Sequence, residues 1–319
     1  MYILGFDIGG TKCAAITATW DGERITLLEK QKIATDHTIS ADEMIKKLID
    51  LADAILEKTP DCIGVSCGGP LDSEKGIIIS PPNLPQWKDV DIVAMLKQHY
   101  GVSVKLQNDA NACALAEWKF GAGRGYKNVI FMTFGTGLGA GLILDGKLYN
   151  GTNGNAGEIG HIRLEDDGPV GFGKPGSFEG FCSGGGIAQL GKRYAQEKLQ
   201  MGKSVSFCES LSEIDNITAK SIAECAYNGE QDAKEIYETC GTMLGKGISI
   251  LIDILNPERI VLGSIFQKSE SLIRHKMQEM LEKECLACSL EVCEVVPAEL
   301  GDNIGDYAAL AVAAMNEEM

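Results

Sequence analysis

The chain begins with an apolar run, Tyr2 to Ile8, that carries Asp7 near its end and is followed at once by Gly9, Gly10 and Thr11. Lys12 to Trp20, rich in Ala, Ile and Thr, reads as a second strand, Asp21-Gly22 as a hairpin turn and Arg24 to Ile33 as a third strand. The same order returns much later: an apolar strand over Asn128 to Phe134, a small-residue loop at Gly135-Thr136-Gly137, a strand over Ala140 to Leu144 and a second turn at Asp145-Gly146. Gly10 stands 11 residues before the first turn and Gly135 stands 10 before the second. Two such hairpins far apart in the chain predict a duplicated architecture rather than a short-period repeat.

Between them, Met44, Ile45, Leu48, Leu51, Ala52 and Ile55 recur with the period of an amphipathic helix, predicted over Ala41 to Lys58. Cys62 to Cys67 predicts a buried strand, Val90 to Tyr100 a helix and Val102 to Leu106 a strand. Strands alternating with helices favour an α/β sheet covered on its faces. Further on, Glu179 to Leu199, Ser221 to Tyr227 and Ala233 to Leu255 read as helical, Asn256-Pro257 ends the last of these, and Arg259 to Leu262 is a short strand running into Gly263. An Ala-rich helix is expected over Asp306 to Met315.

A length of 319 residues, 45% of them hydrophobic, suits about two domains with a sizeable core. The formal charge of -16 argues against a broad nucleic-acid or anionic-membrane surface, so any phosphate site has to be local. The N-terminus lacks the pattern of a secretory signal, and the longest uncharged run, Val129 to Leu144, is broken by four glycines, so a cytoplasmic protein without a membrane span is expected. The 11 cysteines are then expected to be reduced, mostly buried, with Cys285 and Cys288 forming a CxxC inside a helical pattern that lacks a partner pair for zinc.

Neither glycine loop is a Walker motif. Gly135-x-Gly137-x-x-Ala140 matches a dinucleotide fingerprint in spelling, but about four residues before the next turn leave no room for the helix that fingerprint must open. Hairpin loops that offer backbone amides to an anion, helped by hydroxyls of Thr11, Thr133 and Thr136, fit better. Asp7 beside such amides either accepts turn hydrogen bonds or shares a Mg²⁺ with the phosphate; Lys12 is a phosphate contact or a solvated turn residue. Asn108-Asp109 follows a strand and opens an Ala-rich helix, which suits a helix cap and equally a ligand crevice where Asp109 takes a proton from a hydroxyl. Glu158 and His161 lie in a glycine-rich loop, with Glu179 beyond it, a set suited to neutral polyhydroxy ligands or, for His161, to loop support.

Taken as an ensemble, Asp7-Ile-Gly-Gly-Thr-Lys12, Pro82-Asn-Leu84 with Trp87, Asn108-Asp-Ala-Asn111, Gly135-Thr-Gly-Leu-Gly139 and Gly157-Glu-Ile-Gly-His161 resemble the ROK family in order and spacing. The resemblance extends over nearly the whole chain. It implies the actin-like ATPase (ribonuclease H-like) fold, with two related α/β domains around a cleft, residues 1–113 plus 301–319 forming the smaller and 114–300 the larger. It also implies ATP-dependent phosphorylation of a hexose, glucose or a close relative, with N-acetylmannosamine, fructose and allose as alternatives. Asp109 is then similar to the catalytic base. Asn83, Asn108, Glu158, His161 and Glu179 look like sugar contacts, Asp7 like the residue that holds Mg²⁺ through water, Gly9, Gly10, Thr11, Lys12, Thr133, Gly135, Thr136 and Gly137 like phosphate-loop residues, and Gly263 like an adenosine neighbour. A homodimer would be the usual oligomer.

One departure stands out. The family usually builds a zinc site from the His of the GEIGH segment and three cysteines, whereas the matching positions here hold Val170, Phe172 and Ser177, leaving Cys182 as a single displaced candidate. No zinc is therefore expected, and packing of Phe172 and Phe178 is expected to hold the loop around His161 instead. The family also contains repressors with an N-terminal helix-turn-helix; this chain enters its first strand by Tyr2, which favours the kinase over that reading, and Asp109, present where the base should be, favours it over a non-catalytic sugar or nucleotide binder.

Overall fold

The computed structural model describes residues 1–315. In chain order the elements are β1 (Tyr2–Ile8), β2 (Lys12–Trp20), β3 (Ile25–Ala34), α1 (Ala41–Asp53), β4 (Cys62–Cys67), the short pair β5 (Leu71–Asp72) and β6 (Ile77–Ile78), α2 (Ile92–Tyr100), β7 (Ser103–Asn108), α3 (Asp109–Phe120), β8 (Val129–Phe134), β9 (Leu138–Leu144) and β10 (Lys147–Leu148). There follow β11 (Val170–Gly171), β12 (Lys174–Pro175), α4 (Phe178–Phe181), α5 (Gly184–Gln200), α6 (Ala219–Tyr227), α7 (Gln231–Leu255), β13 (Arg259–Leu262), α8 (Ile265–Glu284), α9 (Ala287–Leu290), β14 (Glu294–Pro297) and α10 (Ile304–Ala314).

The two large sheets have the same topology. The first runs β3-β2-β1-β4-β7 and the second β10-β9-β8-β13-β14. In the first, β1 pairs antiparallel with β2 and parallel with β4; in the second, β13 pairs parallel with both β8 and β14. The duplication expected from the two hairpins is thus present strand for strand. Asp21 closes the first turn by accepting the N–H groups of Glu23 and Arg24, at 2.9 and 2.7 Å, which is what an Asp at this turn position supplies.

The chain divides into two compact units. One holds residues 1–127, 141–156 and the described residues from Glu299 on; the other holds 128–140 and 157–298. These bounds differ from the expected breaks near residues 113 and 300, and Glu117 gives the reason. Its buried carboxylate accepts N–H groups from Ala122, Glu299 and Leu300 at 2.8 to 3.2 Å, which ties α3 and the entry to α10 into one body. Asn111 adds a bond from Nδ2 to Asn150 Oδ1, 2.9 Å, binding residues 141–156 to the same unit.

The core of the first unit packs α1 and α2 against Phe6, Ile63, Val65 and Leu106 on one face of the sheet. Each such side chain contributes about 1.5–3 kcal/mol when fully buried. On the other face lies α10, seated so closely that a Cβ on Gly64 would meet the Ala309 carbonyl at 2.1 Å and the Ala313 nitrogen at 2.2 Å. Glycine at 64 and alanines on α10 are therefore one design. In the second unit α7 and α8 pack side by side, with Tyr237, Leu244, Ile248, Ile273 and Met277 buried.

Several predicted elements change their bounds. The first helix stops at Asp53, where Ile55 and Leu56 both turn back to the Ala52 carbonyl. The helix predicted over Glu179 to Leu199 is two helices, since Ser183 breaks the run and caps a new start through the Gly186 N–H at 3.0 Å. Cys285 and Cys288 do not share a helix, because Leu286 between them has extended backbone. Among the described residues no cysteine is in a disulfide, six of the cysteines are buried, and no helix is long and apolar enough to cross a membrane.

Candidate functional site

In the first unit the candidate residues gather at the carboxyl ends of parallel strands. Register places Ile8, Cys67 and Asn108 in one row, so Asp7 lies one residue back on β1 while Asp109 opens α3 just beyond β7. This is where open α/β sheets present ligands. Asn108 does cap α3, its Oδ1 accepting the Asn111 N–H at 2.7 Å. Asp109 accepts the N–H of Ala110 at 2.8 Å and keeps an exposed side chain. Although it reaches solvent, protein crowds around it, and that desolvation raises its pKa against the lowering effect of the helix amides.

Asp7 is under greater stress. Burial, then the charges of Asp306 and Asp109, raise its pKa from 3.8 to about 6, while Lys30 and Lys32 pull the other way. Asp306, at the start of α10, is buried and paired with Lys30. Its neighbour Gly305 leaves room for the Asp7 carboxylate, since a Cβ there would stand 2.9 Å from Oδ2. Asp7 thus feels two other carboxylates and two ammonium groups, and with its burial the balance disfavours its negative charge. An oxygen-seeking divalent cation would offset that balance.

The first glycine loop is fixed by its neighbours. Gly9 N–H donates to the Lys12 carbonyl at 3.0 Å, Thr35 Oγ1 donates to the Gly9 carbonyl at 2.6 Å, and His37 Nε2 lies 2.8 Å from the Gly10 carbonyl. Gly10, Thr11, His37, Pro82, Asn83 and Pro85 line a shallow hollow of about 400 Å³, which brings Asn83 to the loop. Leu84 and Trp87, both buried, anchor the Asn83 segment. His37, Thr35, Lys30 and Asp306 were not among the residues singled out from the sequence; none of them lies in a motif.

The second unit groups Glu158, His161 and Glu179 around the Gly135–Gly137 loop. Glu179 Oε2 accepts the Leu138 N–H at 3.1 Å. Gly157, at φ +88°, gives its carbonyl to the Ala140 N–H at 2.9 Å, and a Cβ there would collide with the Ala140 carbonyl at 2.0 Å, so only glycine brings Glu158 to this place. Thr133 turns inward: its Oγ1 accepts the Gly139 N–H at 2.9 Å, which employs the hydroxyl in closing the hairpin. Gly263 follows β13 and donates to the Met132 carbonyl at 3.0 Å. The glycine-rich start of α5 also reaches this loop, Gly184 N–H donating to the Gly135 carbonyl at 2.8 Å. A triple glycine behind a Ser cap was the signal for that helix start, and it is a natural anion seat.

The segment around His161 is closed by hydrogen bonds rather than by aromatic packing. Phe178 is fully buried, but Phe172 is 80% exposed and meets the loop at the His161 ring. Gly176 accepts the N–H groups of Leu164 and Glu165, Phe178 donates to Ile162 at 2.8 Å, and Gln189 bonds the N–H and the carbonyl of Val170 at 2.9 and 3.0 Å. Lys246 Nζ donates to the Leu164 carbonyl and Glu165 Oε1, both at 2.7 Å. Ser177 caps α4, and the Cys182 thiol points to the Cys240 carbonyl. Among the described residues no three His, Cys, Asp or Glu side chains are grouped to hold a metal ion.

Comparison with known proteins identifies the family. The family model described as the ROK family matches residues 3–315. A glucokinase of Halalkalibacterium halodurans is 30% identical over 312 residues, 95% of this chain and 92% of its own. A xylose repressor of Caldicellulosiruptor bescii is 27% identical over 309 residues, 94% of this chain and 75% of its own. The crystal structure of a ROK family glucokinase from Streptomyces griseus, in complex with glucose and AMPPNP, is similar with a TM-score of 0.75 at 28% identity, over 99% of this chain and 100% of that one.

Proposed function

Because this chain belongs to the ROK family and has its actin-like ATPase fold, we propose that it transfers the γ-phosphoryl group of ATP to a hydroxyl of a hexose, glucose or a close relative. The observation that carries this reading is Asp109: an exposed carboxylate at the carboxyl end of β7, in the field of Asp7, with its pKa raised by the protein packed around it. A raised pKa makes a carboxylate a better proton acceptor near neutrality. In the proposed reaction Asp109 accepts the hydroxyl proton as the sugar oxygen forms its bond to the γ-phosphorus and the bond to the ADP oxygen breaks. Asn83, Asn108, Glu158, His161 and Glu179 are the side chains proposed to take hydroxyls of the sugar.

The backbone of Gly9, Gly10 and Thr11 with Lys12, the Gly135-Thr136-Gly137 turn with Thr133 behind it, and Gly263 take the nucleotide. Mg²⁺, when bound, would be held through water by Asp7 and would neutralise phosphate charge. The disfavoured negative charge at Asp7 supports that assignment. Asp7 would then hold the cation through its water while Asp109 accepts the proton, a division of labour between two carboxylates.

The test is ADP release across hexoses, N-acetylmannosamine, fructose and allose included, with Asp109→Asn as control. Sugar-dependent ADP release that the substitution abolishes is the expected result. ADP release with no sugar dependence would defeat the kinase reading.

A further inference from the structure

Phe172 sits at the tip of the β11–β12 hairpin, where Gly171 pairs with Lys174 and only Phe172-Gly173 make the turn. Both turn residues have positive φ, +42° and +76°. That is the two-residue turn in which Asn-Gly or Asp-Gly is at ease and a bulky aromatic is not. The strain buys no burial, for the ring is 80% exposed. It does bring the ring edge-on to the His161 imidazole, with centroids 5.2 Å apart and planes at 88°. Two residues on, Lys174 Nζ donates to the His161 carbonyl at 2.6 Å. One hairpin therefore holds His161 twice, at its ring and at its backbone. The hairpin is itself held by Gln189, which bonds both backbone groups of Val170.

We infer that Phe172 is a positioning residue for His161: its ring fixes the imidazole plane from which His161 addresses a sugar hydroxyl. Strain kept at one exposed side chain, with a single ring contact to show for it, is the pattern expected of a functional constraint. The consequence for binding rests on the kinase reading of His161; the contact itself does not. Edge-to-face aromatic contacts are worth enough to change an affinity by about twofold to tenfold when lost.

The test begins without sugar or nucleotide. NMR of the full chain is expected to show an NOE between the two rings and a ring-current shift of the His161 imidazole protons. Both disappear in Phe172→Asn, which suits the turn and should fold at least as well, and both persist in Phe172→Tyr. Unchanged imidazole signals in Phe172→Asn would overturn the inference. In steady-state kinetics Phe172→Asn should raise the KM for the hexose by about threefold to tenfold with kcat and the KM for ATP within about twofold. The effect should vanish on a His161→Ala background, and full additivity there would also overturn the inference. Failure of the kinase reading looks different: no sugar-dependent ADP release from the unaltered chain, with the imidazole signals still answering to Phe172.

Discussion

The two glycine loops occupy equivalent places in two sheets of the same topology, yet they are held in opposite ways. Around Gly135–Gly137 hydrogen bonds close the turn: Glu179 takes the Leu138 N–H, Thr133 takes the Gly139 N–H, and Gly184 joins the turn from α5. Around Gly9–Lys12 the backbone is equally well bonded, but the carboxylates beside it are not at rest. Burial and the charges of Asp306 and Asp109 all disfavour a charged Asp7, and Lys30 and Lys32 only partly offset them. Hydrogen bonds settle a loop; unbalanced charge prepares it for a ligand of opposite sign. The second loop is built for shape and the first for charge.

The largest expected effect breaks this contrast at its reactive group. Asp109→Asn should lower kcat by about 10²- to 10⁴-fold, with hexose binding by calorimetry retained; retention of more than a tenth of kcat would remove Asp109 from the role of base.

Asp7 comes next, with an effect on stability of unusual sign. Its folded pKa of about 6 lies above the unfolded value near 3.9, so the folded chain binds its proton more tightly. The stability from this group is complete below about pH 4 and is lost as pH rises through about 6. Asp7→Asn should therefore stabilise the chain by up to about 3 kcal/mol at pH 7 and flatten that pH dependence, while abolishing turnover. Urea melts at pH 4 and pH 7 measure it; a destabilised variant at pH 7 would mean that Asp7 is at ease after all.

Thr133→Val, on the other loop, should have the opposite sign. It leaves the Gly139 N–H without its acceptor and should cost about 1–3 kcal/mol in the same melts. Equal signs for the two substitutions would erase the contrast between the loops. The smallest effect is expected from zinc. Elemental analysis of purified protein should give far less than one zinc per chain, and dialysis against a zinc chelator should leave the Tm in place, since hydrogen bonds from Gln189, Lys246 and Gly176 close the segment around His161. Near-stoichiometric zinc would overturn that account.

Much of this was legible locally. Asp-Gly turns between apolar runs announce the two hairpins, and a polar pair at a strand end followed by alanines announces Asn108 and Asp109. The lack of thiolates at Val170, Phe172 and Ser177 was legible, but not the bonds that close the segment, because Gln189 and Lys246 reach Val170 and Leu164 across 19 and 82 positions of sequence. Lys30 and Asp306 are 276 positions apart and share no motif, so no periodicity could pair them. The unit boundary likewise depends on one buried carboxylate, Glu117, two of whose bonding partners lie 182 and 183 residues away. α8 escaped attention because its sequence carries few apolar residues, though Phe266, Ile273, Met277 and Leu281 are all buried.

The seating of α10 on Gly64 has a kinetic consequence. β1 and the helix that covers it are about three hundred residues apart, and the second unit is synthesised between them. On the ribosome the first sheet must therefore wait, with the face that carries Ile3, Ile16 and Cys62 uncovered, while the second unit completes its own core. The second unit is in effect an insert in the chain of the first, and the host's earliest strands are the part of the nascent chain that waits longest for its cover.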